Sequence, residues 1–221
     1  NKIETTMVKR IFVTATNTNI GKTYTTKLLL KEFASRGLKV GVLKPIETGV
    51  ESRAFDAEEL LTCVQGLNPK FNDFSTKDIA PIVYRLPAAP FVASNAKALD
   101  LDKINEAVKK IEKVCDILII EGAGGLYVPI DKKFMMIDLI SYLNAKALLV
   151  THCSLGCIND TLLSQKALQD KNISYQTAFN CKGGDEDFKA VSEPYFFKSG
   201  FDVLKIESDI EKICDVLYNF E

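Results

Sequence analysis

The stretch that decides the fold runs from residue 10 to residue 23 and reads RIFVTATNTNIGKT. Residues 10–15 are mainly apolar and β-branched, which is typical of a buried strand. A turn rich in Asn and Thr follows, and a helical pattern over residues 23–36 begins directly after it. A strand that leads through such a turn straight into a helix predicts a loop that surrounds phosphate groups.

The turn carries the groups that bound phosphate requires. Backbone N–H groups and the dipole at a helix N-terminus attract phosphate oxygens, and Lys22 is placed to reach the β- and γ-phosphates. The hydroxyl of Thr23 is placed to bind Mg²⁺. The full pattern with an early glycine is not met, because Thr16 occupies that position. Gly-Lys-Thr alone is common, so an ordinary strand–helix turn with a solvated lysine stays open as the alternative.

Outward from this loop, short apolar strands alternate with longer helical segments. Further strands are predicted over residues 39–43, 116–120, 146–151, 175–179 and 202–206, further helices over 56–64, 100–114, 136–143, 158–170 and 209–220, and a Gly-rich turn over 122–125, whereas residues 68–98 show no assignable pattern. Uniformly apolar strands separated by helices favour a parallel sheet covered on both faces. We therefore predict one α/β domain over residues 7–221, with three layers, a mostly parallel central sheet and a P-loop NTPase-like architecture.

Composition narrows the classes of function. Of the 221 residues, 47% are apolar and 26% charged, which excludes a disordered chain. The net charge is −1 and no basic patch stands out, so no nucleic-acid partner is expected. No apolar run has the length needed to span a bilayer, so no membrane partner is expected either. Residues 1–6 precede Met7 and are interpreted as a remnant that is foreign to the protein, so they are set aside in predicting the fold.

The cysteines and the single histidine exclude further chemistry. The chain has one histidine, His152, which argues against His-based catalysis and His-rich metal sites. Its six cysteines are dispersed and mostly adjoin apolar runs, so we expect reduced, buried thiols in a cytoplasmic protein rather than a disulfide framework. Cys153 and Cys157 have no accompanying Cys or His pair, so zinc is not expected.

Three charged side chains are placed to join the phosphate loop. Lys44 follows the strand over residues 39–43, and Glu121 follows the strand over residues 116–120. The carboxyl ends of parallel strands line the ligand crevice, and a carboxylate there is the usual partner of a nucleotide-bound Mg²⁺. Asp56 opens a helix, where simple N-capping explains it equally well. A surface lysine and an exposed glutamate beside a loop are the alternatives for the other two.

Together, these motifs resemble those of the dethiobiotin synthetase family. They are Thr16-Asn17-Thr18-Asn19-Ile20-Gly21-Lys22-Thr23, Lys44-Pro45-Ile46-Glu47-Thr48-Gly49, Glu121-Gly122-Ala123-Gly124-Gly125 and Gly156-Cys157-Ile158-Asn159. The match extends over about residues 10–180, in the family's order and spacing. The resemblance implies an ATP- and Mg²⁺-dependent ligase of biotin biosynthesis, a homodimer that joins CO₂ to 7,8-diaminononanoate and closes a cyclic urea.

The resemblance also implies a role for particular residues. Lys22 and Lys44 are expected to be catalytic, and Thr23, Asp56 and Glu121 to hold Mg²⁺. Contacts with the nucleotide are expected from Asn19, Ile20, Gly21, Lys22, Thr23, Tyr24, Asp56, Glu121, Gly122, Ala123, Gly124 and, at the base, Asn180. Contacts with the substrate at the subunit interface are expected from Thr48, Leu155, Gly156, Cys157, Ile158 and Asn159.

A second class of function shares the phosphate loop. Switch ATPases of the ParA and MinD kind hydrolyse ATP while acting through a protein partner. They usually carry an extra lysine early in the loop, where this chain has Thr16-Asn17-Thr18-Asn19. Related amidotransferase-type synthetases add a glutaminase domain, for which 221 residues leave no room.

Overall fold

The computed structural model describes residues 7–182 and 185–219. Residues 1–6, which were set aside, and Phe220, the last residue of the predicted final helix, lie outside the described residues. No helix in the described part of the chain is both long enough and apolar enough to cross a membrane.

Within these residues, strands and helices alternate along the chain. The strands are β1 (Lys9–Ala15), β2 (Val40–Leu43), β3 (Ile46–Thr48), β4 (Ile82–Tyr84), β5 (Ile117–Gly125), β6 (Lys146–His152) and β7 (Tyr175–Asn180). The helices are α1 (Lys22–Ser35), α2 (Phe55–Gln65), α3 (Thr76–Ile79), α4 (Pro90–Ala93), α5 (Leu101–Glu112), α6 (Met136–Tyr142), α7 (Cys157–Asp170), α8 (Asp185–Val191), α9 (Glu193–Lys198) and α10 (Ile210–Asn219), with a 3₁₀ turn over Pro69–Phe71.

The five long strands form one parallel sheet in the order β2-β5-β1-β6-β7. β1 lies at its centre, and its residues from Ile11 to Ala15 are buried. β5 is buried from Ile117 to Gly122 because α1, α5 and α6 pack against it. The predicted α/β class, with a parallel sheet between helical layers, is confirmed.

A small second sheet joins two short strands that were not predicted from the sequence. β3 and β4 pair in parallel, with Ile46 opposite Ile82 and Thr48 opposite Tyr84. Strands of three residues are too short to show an alternating pattern, so neither β3, within the Lys44–Gly49 motif, nor β4, within residues 68–98, was predicted. This sheet extends the chain beyond the carboxyl end of β2 and carries Glu47 and Thr48 towards the phosphate loop.

Two predicted segments differ in the kind of structure that they form. The Gly-rich turn over residues 122–125 belongs to β5, which continues in strand conformation to Gly125. The predicted strand over residues 202–206 is wrong, because only an isolated bridge joins Lys205 to Phe179 of β7. The Phe179 N–H donates to Leu204 O at 2.8 Å, and Ile206 N–H donates to Phe179 O at 2.9 Å. The segment thus crosses the edge strand for a single residue instead of running along it.

The cysteine prediction is corrected at one position. Cys153 and Cys181 form a disulfide, whereas Cys63, Cys115, Cys157 and Cys214 are free. The cause is strand register: His152 pairs with Asn180, so the residues that follow β6 and β7 come side by side, with Cα atoms 4.9 Å apart. A separation of 28 residues along the chain gives no hint of this contact.

Candidate functional site

The phosphate loop takes the predicted place between β1 and α1. Two of its residues adopt the left-handed backbone conformation, Asn19 at φ 60° and Gly21 at φ 99°. Gly21 is the N-cap of α1, so the helix begins at Lys22 and contains Thr23 in its first turn. The first turn of a helix leaves N–H groups without intrahelical acceptors, and here these groups open onto the cavity described below.

Asn180 at the end of β7 presses against this loop. Its Nδ2 donates a hydrogen bond to Ile20 O at 2.8 Å. A Cβ atom added to Gly21 would lie 2.2 Å from the same Nδ2, so Gly21 is required both for its backbone conformation and for this close approach. Asn180 therefore holds the shape of the phosphate loop, and its contact with the base stays a prediction.

Lys44 meets two carboxylates because of the register between β2 and β5. Leu43 pairs with Ile120, so the next residues, Lys44 and Glu121, come side by side at the carboxyl end of the sheet. Lys44 Nζ donates to Glu121 Oε1 at 2.7 Å and to Asp56 Oδ2 at 2.8 Å. Its side chain is only 3% exposed. Neither a surface lysine nor simple capping by Asp56 accounts for this arrangement.

Glu121 joins the lysine to the phosphate loop. Thr23 Oγ1 donates to Glu121 Oε1 at 2.9 Å, and the Glu121 side chain is fully buried. The second oxygen, Glu121 Oε2, is buried with no hydrogen-bond partner among the described residues. A buried carboxylate oxygen without a donor suits a hard cation, and Mg²⁺ needs only one or two carboxylates when phosphates and water complete its shell. Glu121, Asp56 and Thr23 fit such an ion.

The two lysines differ in electrostatic environment. Burial opposes the charged form of Lys44, yet Glu121 and Asp56 outweigh it and raise the pKa of Lys44 above its ordinary value. Burial first, and the charge of Lys44 second, lower the pKa of Lys22 from 10.5 to about 8. The positive charge of Lys44 is therefore already balanced by carboxylates, whereas Lys22 is a desolvated cation that an anionic ligand would stabilise.

A glutamate that was not singled out also belongs to the site. Glu47 of β3 is 6% exposed, and its oxygens accept hydrogen bonds from the backbone N–H groups of Asp56 and Ala57, each at 3.0 Å. Burial, the largest effect, raises the pKa of the Glu47 carboxyl against these hydrogen bonds. The only signal in the sequence was its place within the Lys44–Gly49 motif.

These residues surround one cavity of about 410 Å³. Its lining comes from the phosphate loop and from the carboxyl ends of β2, β3 and β5: Thr18, Asn19, Gly21, Lys22, Thr23, Tyr24, Lys44, Glu47, Thr48, Asp56, Glu121, Ala123 and Gly124. The structure thus gathers most of the predicted nucleotide residues, together with Thr48. Ile20, Gly122 and Asn180 do not line the cavity, although Gly122 O accepts a 3.3 Å hydrogen bond from Lys44.

The remaining predicted substrate residues lie elsewhere on the same edge of the sheet. They follow β6 and form the start of α7, with Gly156 at φ 96° as its N-cap. Leu155 is 87% exposed, whereas Cys157 is buried. None of the residues from Leu155 to Asn159 lines the cavity of its own chain. Their role in substrate binding stays a prediction.

Comparison with known proteins decides the family. A family model described as an AAA domain matches residues 9–205. The ATP-dependent dethiobiotin synthetase BioD of a Sulfurovum species is 47% identical over 84% of this chain and 89% of its own. The synthetase of Wolinella succinogenes is 36% identical over 95% of this chain and 98% of its own. This chain belongs to the ATP-dependent dethiobiotin synthetase family.

Solved structures agree on the architecture of this dethiobiotin synthetase family member. A ParA family ATPase from Chlorobium tepidum superposes with a TM-score of 0.53 over 96% of this chain and 100% of its own, at 10% identity. The MinD cell division protein of Aquifex aeolicus gives a TM-score of 0.50 over 94% of this chain and 86% of its own, at 17% identity. At such identities the likeness shows the P-loop NTPase-like fold alone.

Proposed function

We propose that this protein is an ATP- and Mg²⁺-dependent ligase that carboxylates 7,8-diaminononanoate with CO₂ and closes the ureido ring of dethiobiotin. One observation carries the proposal: the Lys44 ammonium lies between Asp56 and Glu121, beside the phosphate loop and in the same cavity as Thr48. That arrangement places a cation where a nucleotide and a second substrate would meet. We assign the reaction to the cytoplasm, where ATP is supplied.

The phosphate loop would hold the ATP. The N–H groups at the start of α1 and the Lys22 ammonium would bind the phosphate oxygens, while Asn180 holds the loop through its hydrogen bond to Ile20 O. Thr23, Asp56 and Glu121 would hold Mg²⁺, which would supply positive charge against the negative charge that develops on the phosphate oxygens. Lys22 is desolvated before ATP binds, so its interaction with a phosphate is stronger than in water.

The reaction needs positioned cations rather than a protein nucleophile. One substrate amine attacks CO₂ and loses a proton, which gives a carbamate. A carbamate oxygen attacks the γ-phosphorus and ADP leaves, which forms a carbamic–phosphoric anhydride. The second amine attacks the carbonyl carbon, inorganic phosphate leaves, and the ring closes. Negative charge gathers on carbamate and phosphoryl oxygens, and Lys44 and Lys22 are preorganised to stabilise it.

The substrate would lie between two subunits. Thr48 lines the cavity, whereas Leu155, Gly156, Cys157, Ile158 and Asn159 lie outside it. The N–H groups at the start of α7 suit the substrate carboxylate, because a helix N-terminus favours an anion. In a homodimer these groups would complete the partner's cavity.

Phosphate release from ATP tests the proposal most directly. The ligase should release phosphate only when both diaminononanoate and bicarbonate are present, and mass spectrometry should detect dethiobiotin in equal amount. Omission of Mg²⁺ should abolish both signals. A steady rate of ATP hydrolysis that is the same with and without diaminononanoate would contradict the ligase and favour the switch ATPase.

A further inference from the structure

The first turn of α2 receives its cap from another part of the fold. Ala54 is its N-cap residue, and no side chain at that position bonds the helix N–H groups. Helices usually satisfy these N–H groups with a Ser, Thr, Asp or Asn at the N-cap. Here Glu47 takes that role: Oε1 accepts from Asp56 N–H and Oε2 from Ala57 N–H, both at 3.0 Å.

A buried carboxylate is a costly cap. Glu47 is 6% exposed, and removing a carboxylate from water is unfavourable unless hydrogen bonds and nearby charges compensate. A serine at position 54 would satisfy a helix N–H group at the surface without that cost. The Glu47 cap therefore does more than satisfy the helix N–H groups, because it joins the first turn of α2 to β3. β3 is itself held by the pairing of Glu47 with Val83.

Asp56, whose backbone N–H is held by Glu47, is also the residue that contacts Lys44. The Asp56 side chain is 45% exposed, so close packing does not hold it. Its carboxylate nevertheless lies 2.8 Å from Lys44 Nζ, and its own backbone N–H is one of the two that Glu47 holds. The position of the first turn of α2 therefore sets the distance between Asp56 and Lys44.

We propose that Glu47 is a positioning residue: by holding the first turn of α2, it places the Asp56 carboxylate against Lys44 and against the cation of a bound Mg²⁺–nucleotide. The first part of the proposal, the contact between Asp56 and Lys44, is independent of the proposed function and is called the geometric half. The second part, the contact of Asp56 with the cation, rests on the proposed function and is called the cation half. Both carboxylate oxygens of Glu47 accept from backbone N–H groups, so Glu47 acts through the backbone of Asp56 and Ala57.

The structure of Glu47→Gln without nucleotide tests the geometric half. Glutamine has nearly the same volume, but one of its terminal atoms is a donor that cannot accept from the N–H group facing it. We expect the first turn of α2 to shift and the Lys44–Asp56 separation to exceed about 3.5 Å, the limit of a hydrogen bond. A retained bond of 2.8 Å would overturn the proposal, whatever reaction the protein catalyses.

Calorimetric titration of a non-hydrolysable ATP analogue, with and without Mg²⁺, tests the cation half. In Glu47→Gln the gain in affinity from Mg²⁺ should shrink about tenfold or more, as is usual when an outer partner of a metal ligand is lost. Affinity without Mg²⁺ should stay close to that of the wild type. The control is Glu59→Gln on the outer face of the same helix, where a 59% exposed carboxylate pairs with Lys27.

The double variant that combines Glu47→Gln with Asp56→Asn separates this inference from the proposed function. If Glu47 acts through Asp56, adding Glu47→Gln to Asp56→Asn should reduce the effect of Mg²⁺ no further. Equal weakening with and without Mg²⁺, or full additivity of the two changes, would overturn the inference. If Asp56→Asn leaves the effect of Mg²⁺ intact, the metal assignment and the cation half fail together, and the Lys44–Asp56 distance still decides the geometric half.

Discussion

At the scale of single residues, two lysines share one cavity and have opposite surroundings. Lys44 is held between Glu121 and Asp56, which raise its pKa, whereas Lys22 is desolvated and its pKa is lowered to about 8. The phosphate loop presents Lys22 to a ligand, while Lys44 already has two partners within the protein. Their removal should therefore have different consequences.

Lys22→Ala should abolish nucleotide turnover. Loss of a preorganised cation at the β- and γ-phosphates should cost about 3 kcal/mol of transition-state stabilisation, which is a rate loss of roughly 150-fold. The measurement is phosphate release at saturating ATP. Turnover within about threefold of the wild type would contradict the assignment.

Lys44→Ala should leave ADP binding largely intact while ring closure collapses. The phosphate loop is untouched, but the carbamate and γ-phosphate lose their nearby cation. Glu121 also loses a counter-charge while buried, so the free energy of unfolding should fall by about 3 kcal/mol. Lys44→Arg should not restore full activity, because a planar fork replaces a compact ammonium. ADP titration and product analysis check this, and a variant that forms product without binding ADP would reverse the assignment.

At the scale of elements, the carboxyl ends of neighbouring strands assemble the site. β7 brings Asn180 against the phosphate loop, β2 and β5 bring Lys44 beside Glu121, and β6 and β7 bring Cys153 beside Cys181. Each contact joins residues far apart in sequence. Each contact therefore depends on strand register, so a substitution in one element should alter the structure of the element that it contacts.

Gly21→Ala should weaken both the loop and nucleotide binding. The left-handed conformation costs a side chain about 1–2 kcal/mol, and the new methyl group would meet Asn180 Nδ2 at 2.2 Å. Gly37→Ala is the matched control, since Gly37 has φ 84° and no atom near its added Cβ. Thermal unfolding should show a larger loss for Gly21→Ala, and Asn180→Ala should remove the excess. Equal losses for the two variants would show that the close approach is unimportant.

The disulfide is tested by counting thiols. The chain has six cysteines, and four are free in the structure. Denaturation without reductant should expose four reactive thiols, and treatment with a dithiol should expose six. In the native protein, burial raises the pKa of both Cys115 and Cys214 to about 12, so alkylation at pH 8 should spare them. Six thiols before reduction would instead support the expectation from the sequence.

At the scale of the whole molecule, one chain does not bring all of its predicted substrate residues to the cavity. Tyr127 follows β5, Leu155 precedes α7 and Leu163 lies within α7; they are 63%, 87% and 64% exposed, and none of them lines the cavity. If the substrate carboxylate is held by the N–H groups of residues 155–159, these groups must come from a second subunit.

We therefore expect a homodimer whose activity depends on assembly. Specific activity should fall on dilution in parallel with the dimer fraction measured by sedimentation velocity. A structure of the complex should show the carboxylate at the start of α7 of the partner subunit. Full activity of an isolated monomer, or a carboxylate bound only by Lys or Arg side chains of one subunit, would contradict this expectation.

Local pattern in the sequence was sufficient for the α/β class and for the phosphate loop. The strand over residues 10–15, the glycine before Lys22 and the helix that follows are neighbours along the chain, so their geometry is local. Lys44 and Glu121 were predictable as candidates, since the carboxyl ends of parallel strands meet at one edge of a sheet.

Only the tertiary structure decided which of these groups touch. The pairing of Leu43 with Ile120 sets Lys44 against Glu121, and the pairing of His152 with Asn180 sets Cys153 against Cys181. The cap that Glu47 gives to α2 depends on β3, whose three residues are too short to show a period. Strand order and register arise from burial of whole faces, a property of the assembled sheet that no local stretch encodes.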